Sequence, residues 1–104
     1  MVEVDKLSPK EREVFEKLKE ATDPEFGQPI VERGLIDFVK FEEGQASVTY
    51  HLTVPFCPMP FALYIGREIR KKAKEVNGVK KVKVEVKDHL QAEIINKVLE
   101  SEGR

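Results

Sequence analysis

The one cysteine of this chain sits in Thr53-Val54-Pro55-Phe56-Cys57-Pro58-Met59-Pro60-Phe61, framed by three of its six prolines. A thiol does chemistry as a thiolate, either as a nucleophile or as a metal ligand. Pro58 biases Cys57 toward an extended backbone, the conformation of a residue that caps a helix, and a helix is expected to begin near Pro58 or Pro60. A cap at Cys57 would place sulfur at the positive end of the helix dipole, which favours the thiolate. Pro58 and Pro60 carry no N–H, so the expected activation is modest. Packing is the competing use of this residue, since free cysteine is often buried and Phe56 and Phe61 could cover it. A single cysteine excludes an internal disulfide and any self-contained Cys-x-x-Cys or Cys/His zinc site.

Acidic residues gather around a second stretch. Asp23, Glu25, Glu32 and Asp37 surround the segment 23–34, which holds two prolines and two glycines. They could supply oxygen ligands or hold a partner, although Asp23 has a simpler use in capping turn N–H groups. Gly27 and Gly34 read as turn glycines, because neither a GxGxxG run nor a P-loop is present. His51 falls on the polar face of its strand. With Cys57 and Asp37 it suggests a nucleophile, base and orienting group. Six residues of extended chain span on the order of 20 Å, however, which argues against direct pairing of His51 with Cys57 unless the chain turns sharply at Pro55. His89 reads as a surface residue.

These groups need elements to hold them. Ser8-Pro9-Lys10-Glu11 is a helix start with a capping box, and Val14, Phe15, Leu18 and Ala21 continue one apolar stripe to about Thr22. Asp23-Pro24 should stop that helix. Leu35 to Glu42 has strand length. Glu43-Gly44 turns the chain, and Ala46, Val48, Tyr50, Leu52 and Val54 alternate with polar residues in a second strand. Ala62, Ile65, Ile69, Ala73 and Val76 mark another helix, ended at Asn77-Gly78. Val82, Val84 and Val86 give a third strand. Asp88 and Gln91 should cap a last helix with Leu90, Ile94, Val98 and Leu99 inward. The expected fold is α+β: a two-layer α-β-β-α-β-α domain over residues 1–104, its helices packed on one face of a small mixed sheet.

Composition narrows the function classes. The net charge of −1 supplies no basic field for nucleic acid. The local cluster Arg67, Arg70, Lys71, Lys72, Lys74, Lys80, Lys81 and Lys83 reads first as cations answering a helix C-terminus. The polar strand face Ser47, Thr49, His51 and Thr53 lacks the interleaved aromatics of RNA-binding sheets. No apolar run is long enough to span a membrane, and a cytoplasmic location is expected. Charged residues reach 36% with no Trp, resembling proteins of hot environments.

Two motifs in order resemble the PaaD/SufT-like domain associated with iron–sulfur cluster assembly. The first is Asp23-Pro24-Glu25 followed by Glu32, Gly34, Leu35 and Ile36. The second is Leu52-Thr53-x-Pro55-x-Cys57-Pro58, then the helix and a Val-rich strand, so the resemblance covers about residues 8–87. Three positions depart from the family pattern. Phe56 stands where Gly is usual, the chain has no Trp, and Asp37-Phe38 replaces a common Tyr-Asp. The resemblance implies a non-enzymatic accessory or carrier protein in iron–sulfur cluster assembly or delivery. Cys57 would contact cluster, metal or partner, and Glu32, Thr53, Asp23 and Glu25 would support the site. One thiolate cannot hold a cluster that needs several ligands. The implied cargo is therefore a transient cluster bridged to a second copy of the chain, to a small thiol, or to the cysteines of an assembly protein or apo-protein recipient. The alternative is a protein-interaction module with a structural cysteine.

Overall fold

The computed structural model describes residues 6–23, 27–52 and 58–102. Glu25 and the run Thr53 to Cys57 lie outside the described residues.

Six elements follow in the expected order: α1 (Pro9–Leu18), β1 (Ile36–Glu42), β2 (Gln45–Tyr50), α2 (Met59–Lys74), β3 (Lys81–Val86) and α3 (Ala92–Glu102). Ser8 caps α1. Its hydroxyl accepts from Glu11 N–H, and the Glu11 carboxylate accepts from Ser8 N–H in return. The helix ends at Leu18, short of Thr22. Lys19, Glu20 and Ala21 wind down through bonds to residues three back, and the backbone of 21–23 then pairs with 28–30. That bridge offers residues 21–23 partners outside the helix, so Pro24 is not what ends it. Ala21 still buries as its stripe requires.

The three strands form one mixed sheet in the order β1-β2-β3. β1 and β2 are a hairpin whose turn, Glu43-Gly44, has both φ values positive (49° and 84°), the geometry that matches strand twist. β2 runs parallel to β3, joined through α2. Ala46, Val48 and Tyr50 on β2 and Val82, Val84 and Val86 on β3 all bury one face, as their alternation demands. α2 lies over β2 and β3, with α1 and α3 on its two sides, so the helices make the second layer.

α2 buries Ala62, Ile65, Gly66, Ile69 and Ala73. Its N-cap is Pro58 and not Cys57, with Pro60 inside the first turn. The carbonyl of Pro58 accepts from the N–H groups of Phe61 and Ala62, so the missing N–H of Pro60 falls among donors that have no helical acceptor anyway. The cap role expected of Cys57 is thereby moved one residue on. The helix ends with Glu75 as its C-cap, and Gly78 takes the left-handed φ (91°) in the turn that follows.

The face of α3 differs from the sequence expectation. Ile95 and Leu99 are buried, while Leu90 and Ile94 are exposed and Val98 is half-buried. Asp88 is not an N-cap but a left-handed residue (φ 54°) four places before α3 begins at Ala92. The physical reason is Asn96. Its amide oxygen accepts from Val86 N–H (2.8 Å) and its amide nitrogen donates to Val86 C=O (3.1 Å). A polar side chain thus satisfies the open edge of β3, and this fixes the helix rotation that a purely apolar stripe mispredicts.

Candidate functional site

The three strands end at a common rim. β1 begins opposite the end of β2 (Ile36 against Tyr50), and β2 ends level with β3 (Tyr50 against Val86). The ladder extends one step beyond: His51 N–H donates to Leu35 C=O and Lys87 N–H to Tyr50 C=O, both at 2.9 Å. From Leu52 the chain enters residues 53–57, and it returns at Pro58, the cap of α2.

At this rim β1 carries a register shift between Ile36 and Phe38, which places Asp37 in a bulge. The extra residue turns Ile36 onto the same core face as Val39, although the two are an odd number of residues apart. Asp37 itself is 4% exposed, one of two buried charged residues in the described structure. Burying a carboxylate is costly unless it is paired and hydrogen-bonded. Here Oδ2 lies 2.8 Å from His51 Nδ1, and Oδ1 lies 3.6 Å from Lys87 Nζ. Lys87 also sits over the exposed ring of Phe38, 5.6 Å from its centroid. One residue from each strand end therefore meets at one carboxylate.

Two of these groups, Asp37 and His51, are legible in the sequence as an orienter and a base, and they do pair. Lys87 and Phe38 are not. The signal available was the departure Asp37-Phe38 itself, since an acid moved one place along a strand needs a bulge to reach the core side.

The other acidic positions behave differently. Asp23 is 3% exposed, and its Oδ2 accepts from Gln28 N–H and from Arg33 Nη1, each at 3.2 Å. Its backbone is also closed onto Gln28 and Gly27. Asp23 thus ties the irregular loop shut. Glu32 stands exposed in the turn at 31–34. Cys57, Thr53 and Glu25 lie outside the described residues. Among the described residues, no three His, Cys, Asp or Glu side chains group as a metal site.

The basic cluster is largely neutralised by its neighbours. Arg67 makes a two-pronged pair with Glu102 (2.9 and 2.6 Å), and Arg70 donates to Leu99 C=O. Lys72 faces Glu20 and Glu75, and Lys83 faces Glu85. Lys71 and Lys74 remain in the last turn of α2, where cations answer the dipole.

Comparison with known proteins decides the lineage. The model of the family described as iron–sulfur cluster assembly protein matches residues 11–86. The chain belongs to this iron–sulfur cluster assembly family. It is 34% identical over 88 residues to an uncharacterized protein of Methanocaldococcus jannaschii, covering 84% of this chain and 90% of that one. It also resembles the crystal structure of a domain of unknown function, DUF59, from Bacillus anthracis, with a TM-score of 0.67 and 27% identity over 89% of this chain and 90% of that one. The α+β architecture expected from the sequence is thus the fold of the family. The matched range spans both family motifs and the whole sheet rim up to Val86, while α3 lies beyond it. Among the described residues no helix is long and apolar enough to cross a membrane.

Proposed function

We propose that this chain is a non-enzymatic accessory or carrier protein of iron–sulfur cluster assembly in the PaaD/SufT-like branch, acting in the cytoplasm. Cys57 contacts the cluster, its iron, or a partner's cluster site. Thr53, Glu25, Glu32 and Asp23 shape the surroundings of that contact. The observation that carries the reading is the family match over residues 11–86, which runs through the segment Leu52-Thr53-Val54-Pro55-Phe56-Cys57-Pro58 that holds the only thiol.

The chemistry supports a carrier over a store. A cluster needs several ligands, and one thiolate supplies one. The cluster is cargo shared with a second copy of this chain, a small thiol, or the cysteines of an assembly protein or recipient. A ligand set completed from outside can be dismantled from outside, which suits delivery.

Anaerobic reconstitution with iron and sulfide tests this reading by comparing wild type with Cys57→Ser. Visible absorption of a bound cluster in wild type, and at least about a ten-fold loss of it in the variant, is expected. Size-exclusion of the same samples shows whether the cluster bridges two chains. Equal absorption in both proteins, or none in either, removes Cys57 as a cargo ligand. That result would favour an interaction module with a structural cysteine, a reading that the exposed side chains of Leu90, just before α3, and Ile94, on it, support.

A further inference from the structure

We propose that His51 is a metal-ligating imidazole, held by Asp37 and Lys87 so that Nε2 is offered to the iron of the cargo. The inference deepens the carrier reading and rests on it. It begins from the bulge. The sheet buries a carboxylate at its rim and gives it two partners from the ends of the other two strands, His51 at Oδ2 and Lys87 at Oδ1. Lys87 alone would supply the opposite charge that a buried Asp37 requires. The imidazole is the additional element, and the carboxylate fixes its state.

An ionised carboxylate only accepts hydrogen bonds, so the ring hydrogen resides on Nδ1. In the neutral ring the lone pair is then on Nε2, the other nitrogen. The His51 side chain is 33% exposed, and among the described residues Nε2 makes no hydrogen bond. An imidazole that gives Nδ1–H to a carboxylate has its orientation and tautomer set and its Nε2 basicity raised, as metal-bound histidines do. Imidazole suits iron and the other borderline divalent ions.

The second histidine provides an internal contrast. His89 Nδ1 accepts from Gln91 N–H at 2.9 Å. In its neutral ring the hydrogen is therefore on Nε2, and no lone pair is presented there. The two histidines carry opposite tautomers, and only His51 is set as a ligand. One imidazole binds an ion weakly by itself. The remaining ligands come from the cargo or from a small thiol, consistent with a site that hands its ion over.

The experiment uses the full chain and Co2+ as probe, followed by long-range 1H–15N NMR of the two imidazoles near pH 8. The metal-free protein should show a bare Nε2 on His51 and a bare Nδ1 on His89. His51 signals should then broaden at a Co2+ concentration at least about ten-fold below that which broadens His89. Asp37→Asn, which keeps the volume of the buried group, should raise the Co2+ concentration needed at His51 by about ten-fold or more. His51→Gln should abolish the visible Co2+ absorption that accompanies the selective broadening, with unchanged circular dichroism confirming the fold. Equal response of the two histidines, or an unchanged His51 response in Asp37→Asn, overturns the proposal. The two ideas fail separately. Cluster absorption that is equal in wild type and Cys57→Ser, or absent from both, with selective Co2+ binding retained, sinks the carrier reading alone. Intact cluster absorption with unselective Co2+ binding sinks the His51 assignment alone.

Discussion

Tyr50 shows how a single side chain can join the sheet, α2 and α3. Its ring is fully buried, and its hydroxyl donates to Ala62 C=O at 2.8 Å. Gly66 exists for the same contact: a Cβ there would lie 2.8 Å from both Tyr50 Oη and Leu99 Cδ1. Gly66→Ala is therefore expected to overpack the helix against β2 and α3, costing about 1–3 kcal/mol in urea unfolding. A stability equal to or above wild type, as helix propensity alone would give, refutes that account. Tyr50→Phe removes the hydroxyl's bond to the Ala62 carbonyl, which lies within α2, and should cost about 1 kcal/mol at neutral pH. Burial raises the Tyr50 hydroxyl above its usual range, with Arg70 opposing in part. The unfolded chain therefore ionises first as pH rises. The tyrosine's contribution is full below about pH 10 and is lost above it. The stability gap between wild type and Tyr50→Phe should shrink from about pH 8 to about pH 11, and a gap that widens would contradict the burial argument. None of this was legible in the sequence beyond the inward phase of Tyr50, because close approach of a glycine is a three-dimensional fact. Asp37 and His51 could be named from the sequence as partners, because their types are complementary. Lys87 could not, because it arrives through the parallel pairing of β3.

Elements were legible where one signal dominated. The box at Ser8 and Glu11, the Glu43-Gly44 turn and the valine alternation of β3 each point to a single conformation, and each is found. Where a long-range hydrogen bond competed with a local pattern, the local pattern lost. α1 gives up its last turn to the 21–23 and 28–30 bridge, and α3 rotates to bring Asn96 to β3. Each sheet edge is met at one residue by a helix side chain. Glu11 accepts from Phe41 N–H (2.9 Å) at β1, and Asn96 pairs with Val86 at β3. Exposed edges invite strand addition by other chains, so these contacts guard the two edges as well as dock the helices. Asn96→Ala should cost about 1–3 kcal/mol, since it strands one donor and one acceptor. Hydrogen exchange localises the effect. The Val86 amide should lose protection by a larger factor than Val48 in the central strand, whereas uniform loss would mean the mutation acts only through global stability.

At the scale of the whole molecule, the charge-rich composition resolves into a specific arrangement across α1 and α2. Lys17 lies 3.1 Å from Glu20 and 3.6 Å from Glu75, while Lys72 lies 3.8 Å from each of the same two carboxylates. The four side chains form a closed ring of alternating sign that ties the C-terminal ends of the two helices. The hydrogen bond to Glu20, with Glu75 adding to it, raises the Lys17 ammonium above its ordinary value. Isolated exposed pairs of this kind contribute little, but a network loses less entropy per contact, and the desolvation cost of its charges falls with temperature. The sequence shows the abundance of Lys and Glu and not the ring, because Lys17 and Glu75 meet only when α1 packs on α2. A double-mutant cycle decides whether the ring acts as a unit. Lys17→Gln and Glu75→Gln should each lower the melting temperature, and the double variant should lower it by less than their sum. The shortfall should diminish when salt is raised from about 0.02 M to about 0.5 M, where the Debye length is shorter than the ring. Additive and salt-independent effects would mean that the four charges merely solvate the surface and do not tie the two helices.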